Sequence, residues 1–163
     1  MSLLSICEWI QNTDLSTAIR EGALYYPIIG GFHLLAIALF GGMILAGDLR
    51  LLGWGLQSWS VSDVIGHLRV WKWLGFAVVA VTGFLLTWSE PLKCYHSKSF
   101  WIKTALLVLV GIHALVFRSK VYSNTAKLDA APVIPGEAKL AASLSLLLWV
   151  GLVLSGRLIA FDS

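Results

Sequence analysis

The stretch Tyr25-Tyr-Pro-Ile-Ile-Gly-Gly-Phe-His33-Leu-Leu-Ala-Ile-Ala-Leu-Phe-Gly-Gly-Met-Ile-Leu-Ala-Gly47, closed by Asp48-Leu-Arg50, decides the fold. From Ala23 to Gly47 it carries no formal charge, and about 20 apolar residues suffice to cross a bilayer as a helix. Pro27 falls near the first turn, where a missing N–H does no harm. Tyr25 and Tyr26 suit the membrane–water interface. One imidazole, His33, lies ten residues in from Ala23, or roughly 15 Å deep at helical rise. An ionisable ring at that depth is a functional-site candidate by default.

Working outward, the composition extends this reading to the whole chain. Of 163 residues 58% are hydrophobic and 13% charged, with mean hydropathy +0.80, which excludes an ordinary soluble domain. The length suits one integral membrane domain over 1–163, with no room for a separate soluble module. The expected fold is all-α, a bundle of four transmembrane helices spanning about 23–47, 68–88, 100–117 and 137–160. Trp71, Trp73 and Trp88 mark the interfaces of the second span, and Trp101 and Lys103 mark the entry of the third. Polar loops are expected over 51–63, 89–99 and 119–137. Residues 2–21 are mixed, with Leu3, Ile6 and Ile10 at helical spacing beside Trp9. They read as a short amphipathic helix lying along the headgroups. Asn12-Thr13-Asp14 breaks it, and each of these residues suits the cap of a second short helix ending at Glu21. Without a basic n-region or an unbroken apolar h-region, no cleaved signal peptide is expected.

Four spans place both termini and the 89–99 loop on one side, A, and the other two loops on side B. Side A carries Arg20, Lys93, Lys98, Lys103 and Arg157. Side B carries Arg50, Arg69, Lys72, Arg118, Lys120, Lys127 and Lys139. This excess puts side B in the cytoplasm and the termini in the periplasm. The net charge of +3 resides in cations at the ends of apolar runs, where topology and snorkelling explain them. The expected environment is a lipid bilayer, with other membrane subunits or further copies of the chain as partners and no nucleic acid.

Candidate chemistry rests on His33, His67, His96 and His113. The chain has no Cys-x-x-Cys-His haem attachment, no His-Glu-x-x-His pair and no glycine-rich phosphate loop. His113 lies about 7 Å from the Arg118 end of its span, so His33 with His113, or His67 with His113, could face each other across the bundle. Bis-histidine ligation of b-type haem between facing helices is an established use of such pairs. Arg157 and Lys103 on side A, or Arg118 and Arg69 on side B, would serve its propionates. The plainer alternative is a hydrogen bond to a neighbouring helix, worth about 1 kcal/mol. His67 and His96 read as interfacial or solvated. Cys7 and Cys94 share side A, and three readings stand: two free thiols, a disulfide, or a small copper or zinc site with His96.

Asp48 and Arg50 point to different helix faces. Asp48 lies within about 60° of the His33 stripe, where Arg69, Lys72 or Arg118 could pair with it. That placement suits a structural lock between helices or proton uptake at a quinone or haem site. Arg157 needs an acid, with Glu21 and Glu90 as candidates. On the opposite face, Ala38, Gly42 and Ala46 form a small-residue ridge of the kind that permits close contact between membrane helices.

Across His33, Asp48-Leu-Arg-Leu-Leu-Gly53, Trp73-Leu-Gly-Phe76, Thr82-Gly83, Tyr95, Phe100, Lys103, Ser143, Trp149 and Gly156-Arg-Leu-Ile-Ala160, the chain resembles a family. It is an uncharacterised bacterial family of small four-helix integral membrane proteins. The resemblance covers nearly the whole chain and implies fold and topology, with no established activity. It also implies asparagine in relatives at the positions of His96 and His113, which ranks His33 first among the histidines. The leading functional expectation is a subunit of a redox or respiratory-type complex in a bacterial inner membrane. It would bind b-haem, or line a quinone pocket, through His33 with His113 or His67. The alternative is a non-catalytic structural or assembly subunit without cofactor. A small transporter is disfavoured by the scarcity of intramembrane polar groups.

Overall fold

Backbone N–H and C=O groups in hydrocarbon must be satisfied within the chain, and the apolar runs meet that demand as helices. The structure, a computed structural model, describes residues 2–162. In chain order its helices are α1 (Leu3–Gln11), α2 (Asp14–Glu21), α3 (Tyr25–Leu52), α4 (Val61–Ser89), α5 (Pro91–His96), α6 (Lys98–Phe117), α7 (Thr125–Ala130) and α8 (Gly136–Leu158). A π-helical turn, Arg118–Tyr122, continues α6. The described residues contain no strand. Four helices are long and apolar enough to cross a membrane: α3, α4, α6 with its π turn, and α8.

Several boundaries differ from the sequence expectation for local reasons. The first long helix runs past Gly47 through Asp48-Leu-Arg50 and stops where Gly53 turns left-handed at φ 78°. The second starts at Val61 rather than 68, because Ser60 accepts a hydrogen bond from the Asp63 N–H at 3.0 Å as its cap. The expected loops over 89–99 and 119–137 contain α5 and α7. Six residues each are too few to display a helical period. At the N-terminus the expected break at Asn12-Thr13-Asp14 is present, and Thr13 caps the second short helix, α2, by accepting from the Ser16 N–H at 3.3 Å.

The inner pair is α3 and α8. Of their apolar windows 17% and 28% is buried, against none for α4 and α6. Helix α4 packs along α3, and α6 packs along α8. The backbones of α4 and α6 barely meet; α5 links them on side A, and α7 with the π turn links them on side B. Close approach of the inner pair depends on Gly41, where a Cβ would lie 2.5 Å from the Trp149 indole. Phe40 then meets the Trp149 ring edge-on at 5.5 Å and Phe76 at 6.2 Å. Gly75 lets α4 lie against Phe40 and Met43, each 3.2 Å from where a Cβ would stand. The buried core gathers on side B from Leu51, Val61, Ile65, Val121, Leu128, Ala138, Ala141 and Ala142.

Segments outside the long helices satisfy the ends of those helices. At the C-terminus of α4, the Ser89 carbonyl accepts from Ser16 Oγ at 3.1 Å and from Arg20 Nη1 at 3.3 Å. Asp162 accepts from Ser97 Oγ at 2.6 Å and from the Ser99 N–H at 2.7 Å at the start of α6. Asp129 of α7 accepts from the N–H groups of Val61 at 2.6 Å and Ser62 at 3.1 Å, closing the N-terminus of α4. Desolvation alone would raise the Asp129 pKa. The hydrogen bonds from Ser62 and Val61, with Arg50 nearby, outweigh it and hold the carboxyl below its ordinary value.

Two measurements check this packing in detergent-solubilised protein. Gly41→Ala forces the Trp149 ring to move and is expected to cost about 1–3 kcal/mol in unfolding free energy. Gly42→Ala meets nothing within 4 Å and should stay within about 0.5 kcal/mol. Because the Asp129 pKa is depressed in the folded state, its contribution is present above the unfolded value, about 3.9. That contribution is lost as pH falls through the lower folded value. A melting-temperature series below pH 4 should therefore lose part of its acid dependence in Asp129→Asn.

Candidate functional site

Below the Phe40–Trp149 contact, toward side B, the long helices border an open, mainly apolar cleft of about 230 Å³ into which several polar groups reach. Asp48 enters from α3, Lys72 from α4, His113 from α6, Tyr122 from the π turn and Ser145 from α8. Ile44, Leu51, Ile65 and Val110 supply apolar walls. Asp48 is 3% exposed, and its Oδ2 accepts no hydrogen bond among the described residues. Ser145 stands beside the Asp48 carboxyl. The Lys72 ammonium reaches the backbone one residue before it, 3.8 Å from where a Gly47 Cβ would be. No Lys72–Asp48 contact falls within 4.0 Å, since the described ion pairs are Arg20–Glu21, Lys93–Glu90 and Lys120–Glu137. A carboxyl and an amine thus share one cleft without touching.

Local sequence explains how these groups meet. In α8, Ala138, Ala141, Ala142, Ser145, Trp149 and Leu152 recur at three- and four-residue steps, and this stripe faces inward. After Phe117, the π turn sends Val121 into the core at 1% exposure and Tyr122 into the cleft. Tyr122 and Ser145 escaped the sequence reading. The α8 stripe was the available signal for Ser145, whereas nothing in Arg118-Ser-Lys-Val-Tyr122 announces a π turn.

The histidines are not brought together. His33, 8% exposed, sets Nδ1 at 2.7 Å from Thr82 Oγ1. The Thr82 hydroxyl donates to the Val78 carbonyl at 2.6 Å, so its oxygen accepts from His33 Nδ1–H. The imidazole lies flush on α4, its Cε1 3.1 Å from where a Gly83 Cβ would be. His113 faces α8 instead and donates from Nε2 to the Ala141 carbonyl at 2.9 Å. Its other neighbours are Phe117 and Tyr122. His67 donates from Nδ1 to the Asp63 carbonyl at 2.8 Å, within its own helix. Neither expected pairing forms, because His33 meets α4, His113 meets α8 and His67 bonds within its own helix. These residues do not fit a bis-histidine haem, and the plainer hydrogen-bonding reading describes His33 and His113.

The expected ion pairs also find other neighbours. Arg50 donates to the Trp59 carbonyl at 2.7 Å, and Arg69 and Arg118 are exposed. Arg157 is exposed and sits over the Phe161 ring at 5.3 Å, while Glu90 accepts from Tyr26 OH at 2.9 Å. Cys7 and Cys94 are unbridged and line one apolar cleft with Leu3, Ile10, Trp88 and Trp101. Desolvation and the nearby Glu90 push the Cys94 thiol up to about 11. His96 is exposed, and the described residues hold no group of three His, Cys, Asp or Glu able to bind a metal. The copper or zinc site is therefore not assembled. In the small-residue ridge Ala38 and Gly42 are exposed and Ala46 is half-buried, so the ridge faces outward.

A family model described as a family of unknown function (DUF6644) matches residues 6–162, and the chain belongs to that family. No curated protein and no solved structure matches it.

The His33–Thr82 link is measurable on its own. Thr82→Val should cost about 1 kcal/mol, and Thr82→Val combined with His33→Leu should be less destabilising than the sum of the two. Additivity in that double-mutant cycle, read by unfolding in detergent, would show that the two side chains do not interact.

Proposed function

We propose that this member of a family without an assigned activity is an integral membrane protein that works through its side-B cleft. It admits a small polar solute or ion to Asp48 and Lys72. The observation that carries this reading is the buried Asp48 Oδ2 with no hydrogen-bond partner among the described residues, in a cleft that Lys72 also lines without pairing with it. Taking a charge out of water costs several kcal/mol, and removing the partner of a buried ion leaves that cost uncompensated. A carboxyl held this way has its partner to gain from outside the protein. The aromatic contact of Phe40, Phe76 and Trp149 lies between the cleft and His33, so access is from side B. By the Lys/Arg excess side B faces the cytoplasm of a bacterial inner membrane.

The cleft suits a small guest. Its volume is about 230 Å³. That lies below the about 300–1,000 Å³ of typical small-molecule pockets. Electron transfer through a bis-histidine haem has no facing pair of imidazoles to rest on.

A second reading is supported by the outward ridge, where Gly42 has open space on its outer side. The chain would dock there against another membrane subunit or a second copy, as a non-catalytic partner in a larger assembly. The two readings are compatible, since the ridge and the cleft occupy different faces of α3.

Thiol labelling tests the first reading. With Cys7 and Cys94 replaced by Ser, a Ser145→Cys protein in oriented membranes should react with a small charged thiol reagent supplied from side B and stay silent from side A. Silence from both sides overturns the reading.

A further inference from the structure

A cleft that presents one acidic and one basic side chain constrains its guest when both are ionised. Asp48 and Lys72 come from adjacent helices, and the structure brings no other charged side chain into the cleft lining. The remaining polar groups are Ser145, Tyr122 and His113, and the last already donates from Nε2 to the Ala141 carbonyl. A lone cation would satisfy Asp48 but meet Lys72 with like charge. A lone anion would meet Asp48 in the same way. In surroundings of low dielectric such unbalanced charge is costly. A molecule carrying an ammonium and an anionic group a few bonds apart satisfies both residues and leaves the site neutral overall.

We infer that the cleft binds a small zwitterion. Its ammonium donates to Asp48 Oδ2, its carboxylate or phosphate accepts from Lys72 Nζ, and the Ser145 and Tyr122 hydroxyls serve its remaining polar atoms. This inference rests on the reading of the cleft as a solute site entered from side B. The shared chemistry has two sources, a free amino-acid-sized solute and the headgroup of an aminophospholipid.

Calorimetric titration of the full chain in phosphatidylglycerol nanodiscs tests it, with β-alanine and glycerophosphoethanolamine as zwitterions and propylamine and propionate as single-charge controls. At least one zwitterion should bind about tenfold or more tighter than either control, since two charge-assisted contacts replace one. Asp48→Asn and Lys72→Gln should each weaken it by a similar factor. A second series in nanodiscs containing phosphatidylethanolamine separates the sources. Loss of zwitterion binding there identifies a competing headgroup, and unchanged binding identifies a free solute. Controls that bind as well as the zwitterions overturn the inference without recourse to any variant. So does the absence of all binding while Ser145→Cys still reacts from side B, and in that case the cleft reading stands. Absence of both binding and labelling removes the two together.

Discussion

The seating of the Trp149 indole on the bare Cα of Gly41 sets how closely α8 approaches α3, and the interior depends on that approach. Lipid tails are as apolar as leucine, so helices in a bilayer associate through close packing and hydrogen bonds rather than through exclusion from water. A side chain at Gly41 would occupy the volume of the indole. With the indole in place, Phe40 and Phe76 complete an aromatic layer across the inner helices. His33 and Asp48 lie on related faces of α3, about 22 Å apart along its axis. The aromatic layer falls between them, which makes two separate polar sites out of one helix.

Each site takes its character from what surrounds it. His33 presses against the Gly83 backbone and spends its Nδ1 proton on Thr82, a contact that tethers α3 to α4. Asp48 has the Ser145 hydroxyl beside it, and its Oδ2 has no partner among the described residues. The π turn delivers Tyr122 beside it, and α7, which contacts that turn, caps α4 through Asp129. Caps supplied from distant segments hold these short elements in place, so the ends of the long helices and the walls of the cleft are fixed together.

Much of this architecture was legible in the sequence, because hydropathy over about 20 residues reports directly on a spanning helix. The inward position of Asp48 followed from its angular distance to His33, and the outward position of the Ala38–Gly42 ridge from the opposite angle. Partners were less legible. Angular position says which stripe a residue occupies, but not which of two neighbouring helices it meets. His33 and His113 therefore looked like facing ligands, although one meets α4 and the other α8. Asp48 was expected to pair with Arg69, Lys72 or Arg118, whereas Lys72 makes no ion pair with it and the two arginines are exposed. The glycine that matters most for packing, Gly41, adjoins the ridge glycine Gly42, and one residue separates a seam from an open surface.

Stability alone does not account for the cleft. Well-packed apolar residues of similar volume in place of a buried ion pair are often neutral or stabilising by about 1–4 kcal/mol. The Asp48–Lys72 arrangement lacks even the direct contact that would offset its desolvation. Apolar side chains at 48 and 72 would continue the walls of Ile44, Leu51 and Ile65 into a closed core on side B. The neighbouring Val61, Val121 and Ala141 already form such a core, so the fold can build one at this level. What Asp48 and Lys72 add is an opening at that level, bordered by polar groups, on one side of the aromatic layer, and the proposed solute site is the use such an opening would have.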